Sequence, residues 1–428
     1  MRTLRYSDPD YSTAIRALDR QAEPDAEVRD TVVGIVQRVR AEGDAALFEL
    51  TRKFGGPELT ASTIRVSPEE IAEAVVRVPR AVRQAIEVSI HNVRDFAEKS
   101  RRHDWSGVNA QGARVGERFD PFRRVGIYVP GGTAPLVSTA VMTCTIAQVA
   151  GVPEIVVTTP TAADGTVNDA LLFALQATGA TEIYKVGGAQ AIAALAFGTA
   201  SIKPVVKIYG PGNAYVVEAK RQVFGRVAVD LLPGPSEIFI IADNSARADW
   251  IAADLLAQAE HGHNGSVVFA TDSAELLVAV EKEVALQAAK LSRGQHIKDV
   301  LDTCTWLVQV KNLDDAVALC NDFAPEHTSV VTRQDDAIAT RLFTSGAIFL
   351  GGYSPVAAGD FVVGPSHELP TGGAGKSFPG LTIDQFQRRT SLVRLDAESL
   401  KKSLPTIETI SAVEGLDAHG RSAAIRLE

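Results

Sequence analysis

A carboxylate and an imidazole stand side by side at one point of the sequence. Glu326 and His327 are adjacent within the segment APEHT, at the predicted start of an extended stretch. Neighbouring side chains of an extended stretch need not point the same way, so the two groups could serve two different proton transfers, as a two-stage reaction would need. The alternative is a helix-to-strand connection that carries a surface Glu-His pair, and this segment alone leaves both interpretations open.

An amide and a second imidazole occur at helical spacing. Gln258 and His261 are three residues apart at the end of a predicted helix that begins near Asp249. Their side chains therefore leave one helical face, where an amide oxygen and an imidazole could hold a divalent metal such as zinc. Two solvated or hydrogen-bonded side chains are the commoner explanation of such a pair.

Two further segments contain candidate polar groups. Residues 351–380 are rich in glycine and proline and include Asp360 and His367; a long polar segment of this kind is more typical of a site-forming loop than of a plain connection. Asp360 could supply an oxygen ligand, or could belong to an ordinary Gly-Asp turn. Near the C-terminus, Glu414 and His419 lie in EGLDAH, which alone indicates a turn between helices with an exposed histidine.

Three glycine-containing loops each follow a predicted strand and open a predicted helix. They cover residues 128–133, 186–190 and 210–213. Glycines at such points let backbone amides approach a phosphate or a ribose at a helix N-terminus. The third loop provides the first two glycines of the GxGxxG pattern, but Tyr215 occupies the third position, so a dinucleotide site here would be atypical. Tight turns also need glycine without any ligand, yet three such loops together favour a nucleotide.

Strand-like and helix-like segments alternate through the middle of the chain. The predicted strands are 125–129, 154–159, 182–186, 204–209, 237–243, 266–271 and 306–310. This alternation predicts parallel sheets with helices on both faces, and the weak symmetry around residues 233–235 indicates two such sheets. The part before residue 120 is predicted to be helical, mainly over 25–54 and 67–102, and a largely helical tail follows at 395–428.

Composition narrows the class of protein. A chain of 428 residues exceeds what one hydrophobic core usually fills, so at least two domains are expected. The net charge of −9, without a basic patch, argues against nucleic-acid or membrane-surface partners. We expect neither a signal peptide nor a membrane span, and the three cysteines suit a reducing cytoplasm. Cys144 and Cys320 lie in apolar helical segments, so no thiol nucleophile is assigned.

In order and spacing, a series of long motifs resembles the histidinol dehydrogenase family. The motifs are PGGTAPL, VGGAQAIAALAFGT, GPGNAYVVEAKRQ, GPSE, LLAQAEHG, APEH, AGD, HELPTGG and EGLDAH. The resemblance runs from about Asp25 to the C-terminus. It departs from the family at two positions: Glu368 stands where the family usually has an uncharged residue, and His263 stands where proline is frequent.

The resemblance implies an α/β fold of two incomplete Rossmann-like domains with parallel sheets, plus helical N- and C-terminal segments. Its domains would be an arm of residues 1–24, a discontinuous α/β domain of 25–127 and 237–378 with the metal and catalytic residues, an NAD domain of 128–236, and a tail of 379–428 that docks on a partner subunit.

The family's site residues carry over position by position. The implied ligands of one zinc ion per subunit are Gln258, His261, Asp360 and, from the dimer partner, His419. The implied catalytic pair is Glu326 and His327. The implied substrate contacts are Ser236, Gln258, His261, His327, Asp360, His367, Glu414 and His419, and the implied NAD contacts are Tyr128, Gln190 and Asn213.

The reaction that the resemblance implies is the oxidation of L-histidinol through L-histidinal to L-histidine, with two NAD reduced, by a cytoplasmic homodimer with shared active sites. Three alternatives differ in class: a paralogous dehydrogenase for another polar alcohol such as a sulfonated propanediol, a zinc hydrolase without NAD, and a non-catalytic binding module. The EGLDAH segment favours histidinol over the first, the glycine loops argue against the second, and the Glu326–His327 pair argues against the third.

Overall fold

The computed structural model describes residues 1–18, 25–131, 135–260, 265–291 and 294–428. Its N-terminal part is mostly helical, as the sequence predicts, but it also contains three strands. These elements are β1 (Arg2–Arg5), α1 (Tyr11–Arg16), α2 (Ala26–Glu42), α3 (Asp44–Lys53), α4 (Pro68–Arg77), α5 (Arg80–Lys99), β2 (Trp105–Val108) and β3 (Arg114–Pro121). Helix α4 begins with the capping box formed by Ser67 and Glu70, with proline at its first position.

A five-stranded parallel sheet follows. Its elements are β4 (Arg124–Tyr128), α6 (Val137–Val149), β5 (Glu154–Thr158), α7 (Asp169–Ala177), β6 (Glu182–Tyr184), α8 (Gly188–Phe197), β7 (Lys207–Tyr209), α9 (Ala214–Val223) and β8 (Ala228–Val229). The strand order is β6-β5-β4-β7-β8. The central strand β4 is buried along its whole length, because helices cover both faces of the sheet.

A six-stranded parallel sheet forms the second half. Its elements are β9 (Glu237–Ala242), α10 (Ala248–Ala259), β10 (Ser266–Thr271), α11 (Ala274–Ala288), α12 (Gly294–Cys304), β11 (Thr305–Gln309), α13 (Leu313–Phe323), β12 (His327–Val331), α14 (Asp335–Ala339), β13 (Ala347–Leu350) and α15 (Val356–Phe361). Its strand order is β1-β11-β10-β9-β12-β13. The N-terminal strand β1 therefore completes one edge of a sheet that is otherwise built from residues after 236.

The C-terminal part contains one strand and two helices, namely β14 (Gln387–Arg394), α16 (Ala397–Glu414) and α17 (Asp417–Ala424). Strand β14 pairs antiparallel with β3, which also pairs with β2, so a small third sheet ties the tail to the N-terminal part. None of the described helices combines the length and the apolar composition that crossing a membrane requires.

The two predicted parallel sheets and all seven predicted strands are confirmed. The prediction that the chain before residue 120 is helical misses β1, β2 and β3. The predicted helical tail of 395–428 is confirmed by α16 and α17, but strand β14 just before it was not predicted. These strands carry arginines or lie mostly exposed, so they lack the continuous apolar runs of buried parallel strands.

The hydrophobic cores group the N-terminal helices with the five-stranded sheet. Buried residues of α2 and α3 pack with Tyr184 and α8, and those of α4 and α5 pack with Val125 and α6. Residues 26–99 thus share cores with the sheet of β4–β8, whereas the predicted domain division placed them with residues 237–378. The domain boundaries stay a prediction.

Candidate active site

The Glu326–His327 pair lies at the amino edge of the six-stranded sheet. Helix α13 ends at Ala324 in the left-handed conformation (φ 50°), and Pro325 cannot continue the helix, so the chain turns into β12. Glu326 and His327 are 7% and 4% exposed. Of the two interpretations of this segment, the structure rules out a surface pair.

The Glu326 carboxylate is held by the segment that starts β9. Its Oε2 accepts hydrogen bonds from Ser236 Oγ (2.6 Å) and from the backbone N–H of Glu237 (2.8 Å). Burial raises the pKa of Glu326, although the His327 ring and the two hydrogen bonds oppose the shift. A buried carboxylate with a raised pKa is a stronger proton acceptor than an exposed one.

His327 has one ring nitrogen fixed and one available. Its Nδ1 lies 3.0 Å from the backbone oxygen of Glu237. A carbonyl oxygen can only accept, so Nδ1 carries the proton and Nε2 of the neutral ring is left as an acceptor. Nε2 lies 3.8 Å from Asp360 Oδ1 on α15. The geometry therefore gives His327 the tautomer that a general base needs at Nε2.

A second histidine contacts an acidic residue nearby. His367 Nε2 lies 3.4 Å from Glu368 Oε1 and 3.5 Å from Thr139 Oγ1 on α6. Burial lowers the pKa of His367, but the close carboxylate of Glu368, together with the charges of Asp360 and Glu326, outweighs it and raises the pKa. Glu368, which departs from the usual family residue, thus has a defined place as the buried partner of His367.

The predicted zinc ligands are brought together only in part. Gln258 is 5% exposed at the end of α10, and its amide nitrogen has no hydrogen-bond partner among the residues that the structure describes. His261 and the neighbouring His263 lie outside the described residues. Glu414 and His419 are exposed on α16 and α17, and no described hydrogen bond or ion pair joins their side chains to Glu326, His327 or Asp360.

The chemistry of these donors fits zinc. A buried amide without a partner is destabilising, and the choice between its nitrogen and oxygen positions depends on the surrounding contacts, so Gln258 fits a ligand role. The set combines amide and carboxylate oxygens with imidazoles and contains no thiolate, unlike closed structural zinc sites. In the part of the chain that the structure describes, His, Cys, Asp and Glu alone form no group of three that could hold a metal.

The three glycine loops meet at a cavity of about 610 Å³ at the carboxyl edge of the five-stranded sheet. Tyr128, Gln190 and Asn213 all line it. The hydroxyl of Tyr128 accepts a hydrogen bond from the N–H of Gly188 (3.2 Å), and the side chain of Asn213 caps α9. Residues 132–134 of the first loop lie outside the described residues. The volume is within the range of roughly 300–1,000 Å³ typical of small-molecule and cofactor sites.

One wall of this cavity was not anticipated from the sequence. It includes Thr31 of α2, Phe54 and Pro57 after α3, and Lys185 after β6. Among the described lining residues Lys185 is the one that carries a charge, and its ammonium forms an ion pair with Glu70. The position of Lys185 between a strand and a glycine loop was a usable signal; the contribution of α2 and α3 depends on packing between distant segments and has no local signal.

Two parallel α/β sheets, a buried acid–base pair and a cavity framed by glycine loops together define a Rossmann-like α/β protein with an enzyme-type site. The family model described as histidinol dehydrogenase matches residues 18–427. The chain therefore belongs to the histidinol dehydrogenase family, whose members are oxidoreductases of histidine biosynthesis, and the resemblance stated from the motifs is confirmed.

Individual relatives agree with the family model. Histidinol dehydrogenase of Ruegeria pomeroyi is 42% identical over 428 residues, which cover 98% of this chain and 97% of that protein. The Geobacillus kaustophilus protein of the same name is 42% identical over 402 residues, or 94% of each chain. A crystal structure of histidinol dehydrogenase from Elizabethkingia anophelis superposes with a TM-score of 0.95 at 32% identity and covers 100% of this chain and 98% of that one.

Proposed function

We propose that this protein oxidises L-histidinol to L-histidine in two NAD-linked steps, through L-histidinal, at a zinc-containing site. Membership of the family supports the substrate. The observation that carries the mechanism is the buried Glu326–His327 pair, because it offers two different proton acceptors at one place. A reaction with an alcohol step and an aldehyde step needs a base in each of them.

His327 serves the alcohol step in this proposal. Nδ1 is engaged by the Glu237 carbonyl, so Nε2 is the atom that accepts the hydroxyl proton of the substrate. NAD, when bound, accepts the hydride in each oxidation step. The backbone of Glu237 contacts both catalytic residues, since its N–H binds Glu326 and its oxygen binds His327. That shared contact holds the two bases in a fixed relation.

Glu326 serves the aldehyde step. The aldehyde must add water before its second oxidation, and the Glu326 carboxylate, with its raised pKa, accepts the proton from that water. Ser236 Oγ, hydrogen-bonded to Glu326 Oε2, orients the carboxylate. Ser236, His367 and Glu414 are also proposed to contact the substrate. Glu414 belongs to the C-terminal tail of a subunit.

The proposed zinc ligands are Gln258, His261 and Asp360 of one subunit and His419 of the partner subunit. When bound, zinc would act as a Lewis acid that orients the amine and imidazole of the substrate. The exposure of His419 and Glu414 on the tail supports a shared site, because no described hydrogen bond or ion pair joins either side chain to Glu326 or His327 of its own chain. The proposal therefore includes a homodimer.

NAD is proposed to occupy the cavity lined by Tyr128, Gln190 and Asn213. The N-termini of α8 and α9 open onto this cavity, and backbone N–H groups at a helix N-terminus suit a phosphate. Lys185 adds a positive charge on the same wall.

The experiment that tests the proposal measures NADH formation with L-histidinol, L-histidinal and a panel of other amino alcohols and diols, including a sulfonated propanediol. We expect two NADH per L-histidinol and a kcat/KM for L-histidinol well above that for any diol. Preference for a sulfonated diol would identify a paralogous dehydrogenase, and absence of NADH with every substrate would contradict the proposal.

A further inference from the structure

A lysine and an aspartate are buried together next to the third glycine loop. The side chain of Lys220 on α9 is fully buried, and that of Asp230, just after β8, is 3% exposed; their ammonium and carboxylate form an ion pair. Desolvating two charges is unfavourable, and apolar residues of similar volume often replace such a pair without loss of stability. The pair is therefore better explained by what it holds in place than by the stability it provides.

What the pair holds is one residue, Gly210. The backbone N–H of Gly210 donates to Asp230 Oδ2 (2.8 Å), and its backbone oxygen accepts from Lys220 Nζ (2.9 Å). The two charged groups thus bind both polar groups of the first residue of the third glycine loop. The peptide groups on either side of Gly210 are fixed as a consequence, because each carries one of these bonds.

Gly210 is the point at which two cavity-lining segments meet. Its φ of +103° favours glycine, and a Cβ at this position would lie 2.0 Å from the backbone oxygen of Tyr128. Asn213 follows three residues later and caps α9. Because Tyr128 and Asn213 both line the cavity, the position of Gly210 sets the spacing between them.

We propose that Lys220 and Asp230 are positioning residues for the cofactor, which hold Gly210 so that Tyr128 and Asn213 keep the spacing that NAD requires. Neither charged side chain lines the cavity, so both act through the loop. This inference rests on the proposed function, since it takes the cavity to be the NAD site.

The same sheet offers a matched control. Arg124 at the start of β4 has a side chain that is 8% exposed and binds Glu154 and Glu182, each at 2.7 Å, at the starts of β5 and β6. This network lies at the amino edge of the five-stranded sheet, opposite the cavity. Removing Arg124 leaves carboxylates unpaired, as removing Lys220 does, but it disturbs no glycine loop.

The experiment compares Lys220→Met, Asp230→Leu, the double variant Lys220→Met/Asp230→Leu and the control Arg124→Met. We expect the first three to raise the KM for NAD at least fivefold and to change the KM for L-histidinol less than twofold. The double variant should recover part of the Tm lost in Lys220→Met, because it removes the carboxylate left unpaired in that variant, although Gly210 still lacks both of its partners. It should keep the raised KM for NAD. Arg124→Met should lower Tm with a KM for NAD within twofold of the parent.

A double variant with a normal KM for NAD would overturn the inference, as would an equal rise in that KM for Arg124→Met. Gln190→Ala separates this failure from failure of the proposed function. If Gln190→Ala raises the KM for NAD and the double variant does not, only the positioning role is wrong. If Gln190→Ala also leaves the KM for NAD unchanged, the cavity is not the cofactor site and the proposed function fails with it.

Discussion

The two parallel sheets present the side chains of their proposed sites at opposite edges, one at the carboxyl ends of its strands and the other at the amino ends. In the five-stranded sheet, Tyr128, Gln190 and Asn213 follow the carboxyl ends of strands, where α8 and α9 begin. In the six-stranded sheet, Glu326 and His327 lie at the amino ends of strands, and Gln258 lies where α10 ends. Helix N-termini favour anions, and helix C-termini favour cations. The first edge therefore suits a phosphate-bearing cofactor, and the second suits a metal and proton acceptors.

The two edges also differ in how their sites are built. The cavity at the carboxyl edge is formed largely by backbone turns, whereas the site at the amino edge depends on buried side chains such as Glu326 that other segments hold in place. Changes at one edge should consequently leave binding at the other nearly intact. The predictions below test this separation.

Metal removal should give the largest effect. Because several kcal/mol of charge stabilisation is lost with a catalytic metal, chelation should lower turnover at least about a hundredfold. The far-UV circular dichroism should stay nearly unchanged, since none of the proposed ligands is a thiolate of a closed structural site. Binding of NAD, followed by fluorescence, should persist because none of the described proposed zinc ligands lines the cavity. Global unfolding on chelation, or loss of NAD binding with the metal, would contradict the separation.

Subunit mixing should give a large recovery of activity. Asp360→Ala and His419→Ala homodimers should each be inactive, since each active site carries a lesion. After exchange, one site of a mixed dimer carries both lesions and the other carries neither, so about a quarter of all sites should be intact. Exchange is confirmed by native mass spectrometry. If each subunit uses its own His419, mixing restores nothing.

A smaller effect, on the KM for NAD, is expected from a change in the cavity at the carboxyl edge of the five-stranded sheet. Lys185→Met removes the charge on the described cavity wall and should raise the KM for NAD by roughly fivefold, the loss expected for one weak charge-assisted contact, with kcat nearly unchanged. Glu70→Gln is the control, because it breaks the ion pair but keeps the lysine cation and an acceptor at the helix cap. An equal rise in KM for the two variants would show that the cavity wall, and not the charge, matters.

The last prediction concerns stability in acid and expects no effect on the KM for NAD. The hydrogen bond from Arg124 lowers the pKa of Glu182 to about 2, with Tyr184 adding to the shift and burial opposing it. The native state thus binds this proton less readily than the unfolded state does. Ionised Glu182 therefore stabilises the fold above its ordinary pKa of 4.5. This contribution, at most about 3 kcal/mol, is lost as the pH falls toward about 2. In denaturant titrations, the free energy of unfolding of Glu182→Gln should fall less between pH 5 and 3 than that of the parent. The KM for NAD should be unchanged. An unchanged pH slope would contradict this.

The difference between the edges also explains what the sequence could predict. The loops around Gly187 and Gly210 follow apolar strands, so both strand and turn have local signals. The proposed roles of Tyr128, Gln190 and Asn213 come from the family resemblance. Strands β1 and β14 were missed, because their residues are polar and their partners are more than 250 residues away in the chain.

At the amino edge, pairwise contacts decide the chemistry. Ser236 and Glu326 are far apart in the sequence but hydrogen-bonded, and no periodicity predicts that. Glu368 was noticed only as a departure from the family pattern, and its consequence for the pKa of His367 depends on their contact. Local patterns thus predict turns and strands, while the protonation chemistry requires the tertiary structure.

The most direct test of the account measures each half-reaction in Glu326→Gln and His327→Asn, with L-histidinol and with L-histidinal as substrates. Loss of a positioned base lowers rates by about 10²–10⁴-fold. Glu326→Gln should therefore slow aldehyde oxidation far more than alcohol oxidation, and His327→Asn should slow the alcohol step, while both keep the parent KM for NAD. Equal losses on both substrates for both variants, or a large rise in the KM for NAD, would contradict the division of the two bases and the separation of the two edges.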